Sequence, residues 1–287
     1  MKILSFDIED WFHVFDPAYE NQPELWSGFS SRVERNTQWI LDFLSRHQQK
    51  ATFFCLGWVA EKYPQLIKSI HDNGHEIAAH SYLHNKVNQL NPESFYKDTK
   101  HVLELLENLT GTKINTYRAP GFSMDKNTLW AFEILNEFGI ENDSSFKSCL
   151  HMGFSGRIPE EPFVLKGNGF EMKEFPTRTF NLLGSHIIYS GSGYFRIYPY
   201  HFIQKKFKQS NYEMAYFHPR DFDNHIHQFF KKHPLLQLRY RIGTNSSRLK
   251  LEKLVNEFEF VTLGKAINQV DWKKAKVFDL ENGEKAS

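Results

Sequence analysis

Two hydrophobic rhythms alternate along the first 140 residues. Residues 2–6 read as a short buried strand that ends in a cluster of acids. Over 32–47, Val33, Ile40, Leu41 and Leu44 recur at helical spacing. The aromatic, β-branched run ATFFCL at 51–56 predicts a second strand. Pro64 then sits where a first helical turn tolerates it, Leu66, Ile67 and Ile70 follow, and Gly74 closes that helix. A third strand is expected at 76–79. Asn91-Pro92 opens a helix whose face carries Phe95, Val102, Leu103 and Leu106, ending near Gly111. A strand at 114–117 follows, then a helix over 126–138 capped by Asp125 and stopped by Gly139, then a strand from 140 to 142.

After residue 145 the rhythm weakens, with Pro159, Pro162, Gly167, Gly169 and Gly184 punctuating irregular or hairpin-like segments. It returns with helices expected at 198–209 and 247–258 and extended segments at 213–217 and 260–263. Residues 273–287 read as a loose polar tail. Strands alternating with helices predict a parallel sheet covered by helices, in units of about 30 residues. The chain of 287 residues shows no repeat and no linker, so one catalytic domain over 1–265 is expected, followed by a polar tail at 266–287.

Composition narrows the partners. Lys+Arg 35 against Asp+Glu 34 argues against a nucleic-acid binder working through a broad basic field. Phe 27, Tyr 12 and Trp 6 supply apolar surface enough to exclude a disordered chain. They also provide faces on which sugar rings can stack. Cys55 and Cys149 form neither a disulfide framework nor a cysteine zinc site. The opening MKILSFDIED carries acids where a signal peptide needs an apolar run. No segment reaches the ~20 apolar residues of a membrane span. A cytoplasmic protein without a membrane span is the expectation.

Four polar clusters fall at the C-terminal ends of expected strands: Asp7-Ile8-Glu9-Asp10, His80-Ser81-Tyr82-Leu83-His84, Arg118-Ala119-Pro120 and His218-Pro219-Arg220-Asp221. Parallel strands bring such ends to one rim. If a helical turn follows the third strand, His80 and His84 share a face and can grip one metal ion. The ordinary reading of an isolated H-x-x-x-H is a pair of surface histidines; the acids on a separate strand end tip the balance toward a metal. Two imidazoles and one carboxylate are a ligand set for a catalytic divalent ion. A further carboxylate would then serve as base toward water, with Arg118 balancing the negative charge. His218 is placed to protonate a leaving group, although a histidine bonded to backbone is an equal reading. His75, His225, His227 and His233 read as structural.

These motifs in this order resemble the polysaccharide deacetylase superfamily (NodB homology, carbohydrate esterase family four): FDIED at 6–10, HSYLH at 80–84, RAPGF at 118–122 and FHP at 217–219. The resemblance covers roughly residues 1–265. ATFFCLGWVAEKYP, GHEIAAHSYLH, YRAPGFS and SGSGYFRIYPY are similar to a branch associated with bacterial exopolysaccharide synthesis. The resemblance implies a distorted (β/α)7 barrel of the α/β class and a bound divalent metal, Zn2+ foremost, with Co2+ or Ni2+ as alternatives. It further implies His80 and His84 as metal ligands, Asp7 as base, Arg118 as the group orienting it and His218 as acid. Asp143 matches the acid that tunes that histidine, and backbone N–H near Phe122 matches an oxyanion donor. The chain departs from the family at its first motif, so the third ligand is Asp10 if the chain bulges, or Glu9, which shares the face of Asp7. The shorter side chain favours Asp10. The family's tryptophan near the fourth motif is replaced by Ser144-Ser145-Phe146.

The expected reaction is removal of N-acetyl groups from an amino sugar of a surface polysaccharide or its precursor, by metal-activated water with no covalent intermediate. In GSGYFRIYPY, Tyr194 and Arg196 are candidate sugar contacts, against the equal reading of a glycine turn before a helix. Two alternatives remain: hydrolysis of a cyclic amide, as in the allantoinase-like branch, and a non-catalytic carbohydrate-binding relative.

Overall fold

The computed structural model describes residues 1–16, 19–20, 22–148, 157–280 and 283–285; Cys149 lies outside them. The strands are β1 (Lys2–Ile8), β2 (Thr52–Cys55), β3 (Glu76–Ala79), β4 (Thr116–Tyr117), β5 (Asn142–Asp143), β6 (Phe163–Gly167), β7 (Phe170–Glu174), β8 (Thr179–Leu182), β9 (Ser185–Ile188), β10 (Glu213–Phe217), β11 (Val277–Asp279) and β12 (Gly283–Lys285). Seven of these form one unbroken parallel run, in the order β10-β1-β2-β3-β4-β5-β7. This is the α/β arrangement expected from the alternating rhythm. Their C-terminal ends therefore lie along one edge.

Alternation along β1 explains how a strand buried on both faces carries chemistry. Leu4, Phe6 and Ile8 join the outer core with Val33, Ile40 and Leu44 of the helix Val33–Arg46. Ile3 instead packs inside with Phe54, Ala78 and Met214. Ser5 and Asp7 share that inner face, because side chains two apart point the same way. The helix Pro92–Thr110 shows the expected stops: Asn91 accepts the Ser94 N–H at 2.8 Å, and Gly111 ends it at φ 67°.

The structure departs from the sequence reading where local signals compete with distant partners. The helix expected from residue 126 spans Leu129–Glu137, because Asp125 folds a turn of its own, accepting the Asn127 N–H at 2.8 Å. Only Val261 of the expected strand at 260–263 makes a bridge, to Ile3, before Thr262 caps the helix Leu263–Ile267. The region after 145 contains two hairpins, β6–β7 and β8–β9. The tail is not loose throughout: β11 adds to β6 in parallel and buries Phe278 completely.

Candidate active site

At the end of β1, Asp7 and Glu9 turn inward side by side and are almost fully buried. Asp7 Oδ1 accepts from Arg118 Nη1 at 2.6 Å, and the same nitrogen donates to Ser5 Oγ at 3.1 Å. Arg118 follows β4 and is itself buried, with its guanidinium 3.9 Å from the centre of the Phe54 ring. Ser144 O accepts from its Nε and Ser144 Oγ from its Nη2. One arginine thus ties β1, β4 and the end of β5 together beneath the site.

The two histidines follow β3, but on a bend and not on the expected helical turn. Ser81 and His84 both adopt positive φ, 65° and 60°, a conformation that non-glycine residues take only when their surroundings impose it. Asp98 imposes it here, accepting from Tyr82 N at 2.9 Å, Leu83 N at 3.3 Å and Ser81 Oγ at 3.1 Å. Gly57 donates its N–H to Ser81 O at 2.9 Å, and a Cβ at this position would meet the Tyr82 ring at 2.5 Å. The bend turns both imidazoles toward Glu9, whose Oε1 lies 3.1 Å from His80 Nε2 and 2.9 Å from His84 Nε2.

Electrostatics make this triad a fit for a cation. His80 Nδ1 lies 2.8 Å from the Arg118 carbonyl, so a proton on Nδ1 satisfies that acceptor. In the neutral ring this leaves the Nε2 lone pair facing a carboxylate oxygen, an arrangement that calls for a proton or a metal between them. Burial works against ionisation of Glu9, yet His84, Arg220, His218 and His80 hold it well below the usual carboxylate range. Burial pushes His84 down, toward the neutral form a metal ligand needs. Glu9, His80 and His84 each offer one ligand atom, all within 4.8 Å of one another. Two nitrogens and one carboxylate leave positions open for water and substrate.

His218 follows β10 and joins the group from the other side. Its Nε2 is 3.9 Å from Asp7 Oδ2 and 3.7 Å from Glu9 Oε1. Asp221 orients the ring, with Oδ2 3.1 Å from His218 Nδ1 and accepting the His218 backbone N–H at 2.9 Å. Although burial raises Asp221, His218, Arg196 and Arg220 hold it below its ordinary value.

Four residues behave differently from expectation. Asp10 points away from the histidines; its carboxylate accepts from Ser31 Oγ and from the N–H groups of Trp11, Arg32 and Val33, closing the start of the helix Val33–Arg46. The longer Glu9 reaches the histidines instead, because it shares the face of Asp7. Asp143 accepts from Ser145 N and Oγ and stands opposite Glu174 of β7, and the carboxylate beside His218 is Asp221. Arg196 is buried, with Nε 3.3 Å from Asp221 Oδ1 and Nη1 donating to Tyr240 O, so it braces Asp221 rather than facing a sugar. The Phe122 N–H already donates to Ala119 O at 3.1 Å, while its ring lines the cavity. Tyr194 is 44% exposed and lines the same cavity.

Sequence reasoning missed three residues. Arg220 Nη1 donates to Glu9 Oε2 at 2.6 Å and to Asp10 O at 3.1 Å, fixing the carboxylate that faces the histidines. Asp221 is the second. Both stand in the HPRDFD segment, so their place at a strand end was the available signal. The third, His13, accepts the Asp10 N–H on Nδ1 at 3.0 Å, which puts its proton on Nε2. That buried Nε2 has no partner among the described residues, and His13 is among the residues lining the cavity. The cavity is about 260 Å3, with Asp7, Glu9, His84 and His218 at its polar end and Phe15, Phe122, Tyr194 and Tyr216 around it. A larger cleft of about 560 Å3 lies at Arg157, Glu160 and Arg178, where Glu160 is held by both arginines. Among the described residues it gathers no histidine.

Residues 14–142 match the family described as polysaccharide deacetylase, and residues 144–268 match a domain of unknown function. A peptidoglycan-N-acetylglucosamine deacetylase of Bacillus cereus is 28% identical over 164 residues, 53% of this chain and 59% of that protein. A peptidoglycan-N-acetylmuramic acid deacetylase of Bacillus subtilis is 32% identical over 107 residues, 37% of this chain and 36% of that protein. The chain thus spans about a third to three fifths of the length of these relatives. Among solved structures, a Mycobacterium smegmatis protein assigned by name to the polysaccharide deacetylases superposes with a TM-score of 0.66 at 18% identity, covering 100% of this chain and 93% of that one. That likeness shows the fold.

Proposed function

Since residues 14–142 match the polysaccharide deacetylase family, we propose that the chain belongs to it and hydrolyses the acetamide of an N-acetylated amino sugar in a surface polysaccharide, such as an exopolysaccharide, or in its precursor. The observation that carries this reading is the meeting of the Glu9, His80 and His84 triad with the Asp7–His218 pair, at a cavity that Asp7, Glu9, His84 and His218 line. A divalent ion held by Glu9, His80 and His84, zinc by its donor set, would supply Lewis acidity toward the acetamide oxygen and lower the pKa of water.

The chain's own residues do the rest. Arg118 Nη1 fixes Asp7 Oδ1, leaving Oδ2 free to take a proton from the attacking water. His218, with Asp221 at its Nδ1, turns Nε2 to the same space and delivers a proton to the departing nitrogen. Arg220 prevents Glu9 from swinging toward His218, and the aromatic wall of Phe15, Phe122, Tyr194 and Tyr216 offers faces for the sugar ring. Acetate and a free amine are the products, and water is the only co-substrate.

The test is acetate release from N-acetylglucosamine oligomers after chelation and again after adding zinc or cobalt, with cyclic ureides as control substrates. Release is expected to return with the metal. It should fall by at least about 10³-fold in His80→Ala, whose metal content should also be lost. Full activity in that variant, or turnover of the ureides alone, overturns the proposal.

A further inference from the structure

The segment beyond the acid histidine presents a surface that the reaction does not use. Between Asp223 and Glu252 the chain has no acidic residue, yet it carries Lys231, Lys232, Arg239, Arg241, Arg248 and Lys250. The first four of these are exposed. Within the same stretch lies the helix Pro234–Arg241, where Leu235 is 84% and Leu238 57% exposed, followed by Ile242 at 43%. Leu235 and Leu238, three apart, share a face of the helix, and Ile242 follows at its C-cap. Leu249 and Ile197, also exposed, stand on segments tied to this one: Lys250 Nζ donates to Arg196 O at 2.7 Å, and Arg196 Nη1 donates to Ile242 O at 3.4 Å.

The helix's other side is anchored. Tyr240 stacks on Phe230 at 4.6 Å, and Leu236, Arg239 and Tyr240 line the catalytic cavity. The apolar face is therefore displayed next to the cavity by a fixed element. Five large aliphatic side chains grouped among cations are unlike the single exposed leucines common on protein surfaces.

We infer that this face docks on the surface of an anionic lipid bilayer, holding the catalytic cavity close to the headgroups. Leucines reaching the boundary between headgroups and acyl chains, ringed by lysine and arginine, are the pattern of an interfacial element. Charge argues against a symmetric contact between two copies, which would set this acid-free face against itself. The contact is that of an interfacial element and needs leucines and cations together. It rests on the deacetylase reading only in its consequence, that the acetylated sugar is presented on a lipid carrier.

The experiment is co-flotation of the full chain with phosphatidylcholine vesicles, with and without phosphatidylglycerol, at low and high salt. Binding is expected only with phosphatidylglycerol and is expected to weaken with salt. The double variants Leu235→Glu/Leu238→Glu and Lys231→Glu/Lys232→Glu should each lose roughly tenfold or more in vesicle affinity. Both should melt like the parent and release acetate from soluble oligomers at the parent rate. No flotation with either vesicle, or flotation indifferent to both variants, overturns the inference. So does a dimer in sedimentation that the leucine variant dissolves. Failure of the deacetylase reading is seen separately, as vesicle binding without acetate release.

Discussion

Asp221 meets His218 twice, through the backbone N–H and through Nδ1, while Arg196 stands behind it. Its work is to aim Nε2 at the nitrogen that leaves, so it acts through His218 and not on substrate. Asp221→Asn should therefore lower kcat by roughly 10²-fold with KM little changed, measured by steady-state acetate release. The contrast between Glu9 and Asp10 is equally sharp. Glu9→Gln should abolish stoichiometric metal binding, read by metal analysis of the purified protein. Asp10→Ala should keep the metal but lose on the order of 2 kcal/mol of stability, because it strands the donors of Ser31, Trp11, Arg32 and Val33. Metal loss in Asp10→Ala with metal retention in Glu9→Gln would reverse the assignment.

Between elements, the site depends on clamps remote in sequence. Arg32, beside the start of the helix Val33–Arg46, donates to Asp223 Oδ2 from Nε at 2.8 Å and to Oδ1 from Nη2 at 2.9 Å, while Asn36 adds a third bond at 3.1 Å. This pins the segment after His218 against the helix that Asp10 caps. Burial raises Asp223, but the His225 N–H, Arg32 and Asn36 outweigh it and leave the carboxyl below its ordinary value. A depressed acid stabilises the fold fully above its unfolded pKa of about 3.9, and loses that contribution as pH falls through the lower folded value. Asp223→Asn should accordingly cost about 2 kcal/mol at neutral pH, and the gap from the parent should close on acidification. Urea melts across a pH series measure it; a gap that widens toward low pH would contradict the sign. The bend bearing the histidines obeys the same logic, since Asp98 on the helix Pro92–Thr110 holds positive φ at Ser81 and His84.

For the molecule as a whole, the join between its two family-matched stretches falls at β5, inside the continuous sheet. There Asp143 of β5 and Glu174 of β7 stand opposite each other in register, both fully buried. Burial first, then the charge of Asp143, pushes Glu174 well above the usual carboxylate range. A raised acid favours the fold when protonated, so this pair weakens it as pH climbs past the unfolded value of about 4.3. Glu174→Gln should raise stability at pH 7 and make little difference below pH ~4; a loss at pH 7 would mean the carboxylate is needed. Much of this was legible beforehand. The strand and helix alternation, the strand-end position of Asp7, His80, Arg118 and His218, and the burial of the aromatics follow from periodicity and spacing, because local pattern governs which face of an element is apolar. Whether Glu9 or Asp10 faces the histidines, which acid holds His218, that Arg196 turns inward and that Phe278 adds a strand to β6 were decided by the tertiary structure alone. Each depends on a partner far along the chain, and neither propensity nor spacing encodes the distance between two side chains brought together by packing.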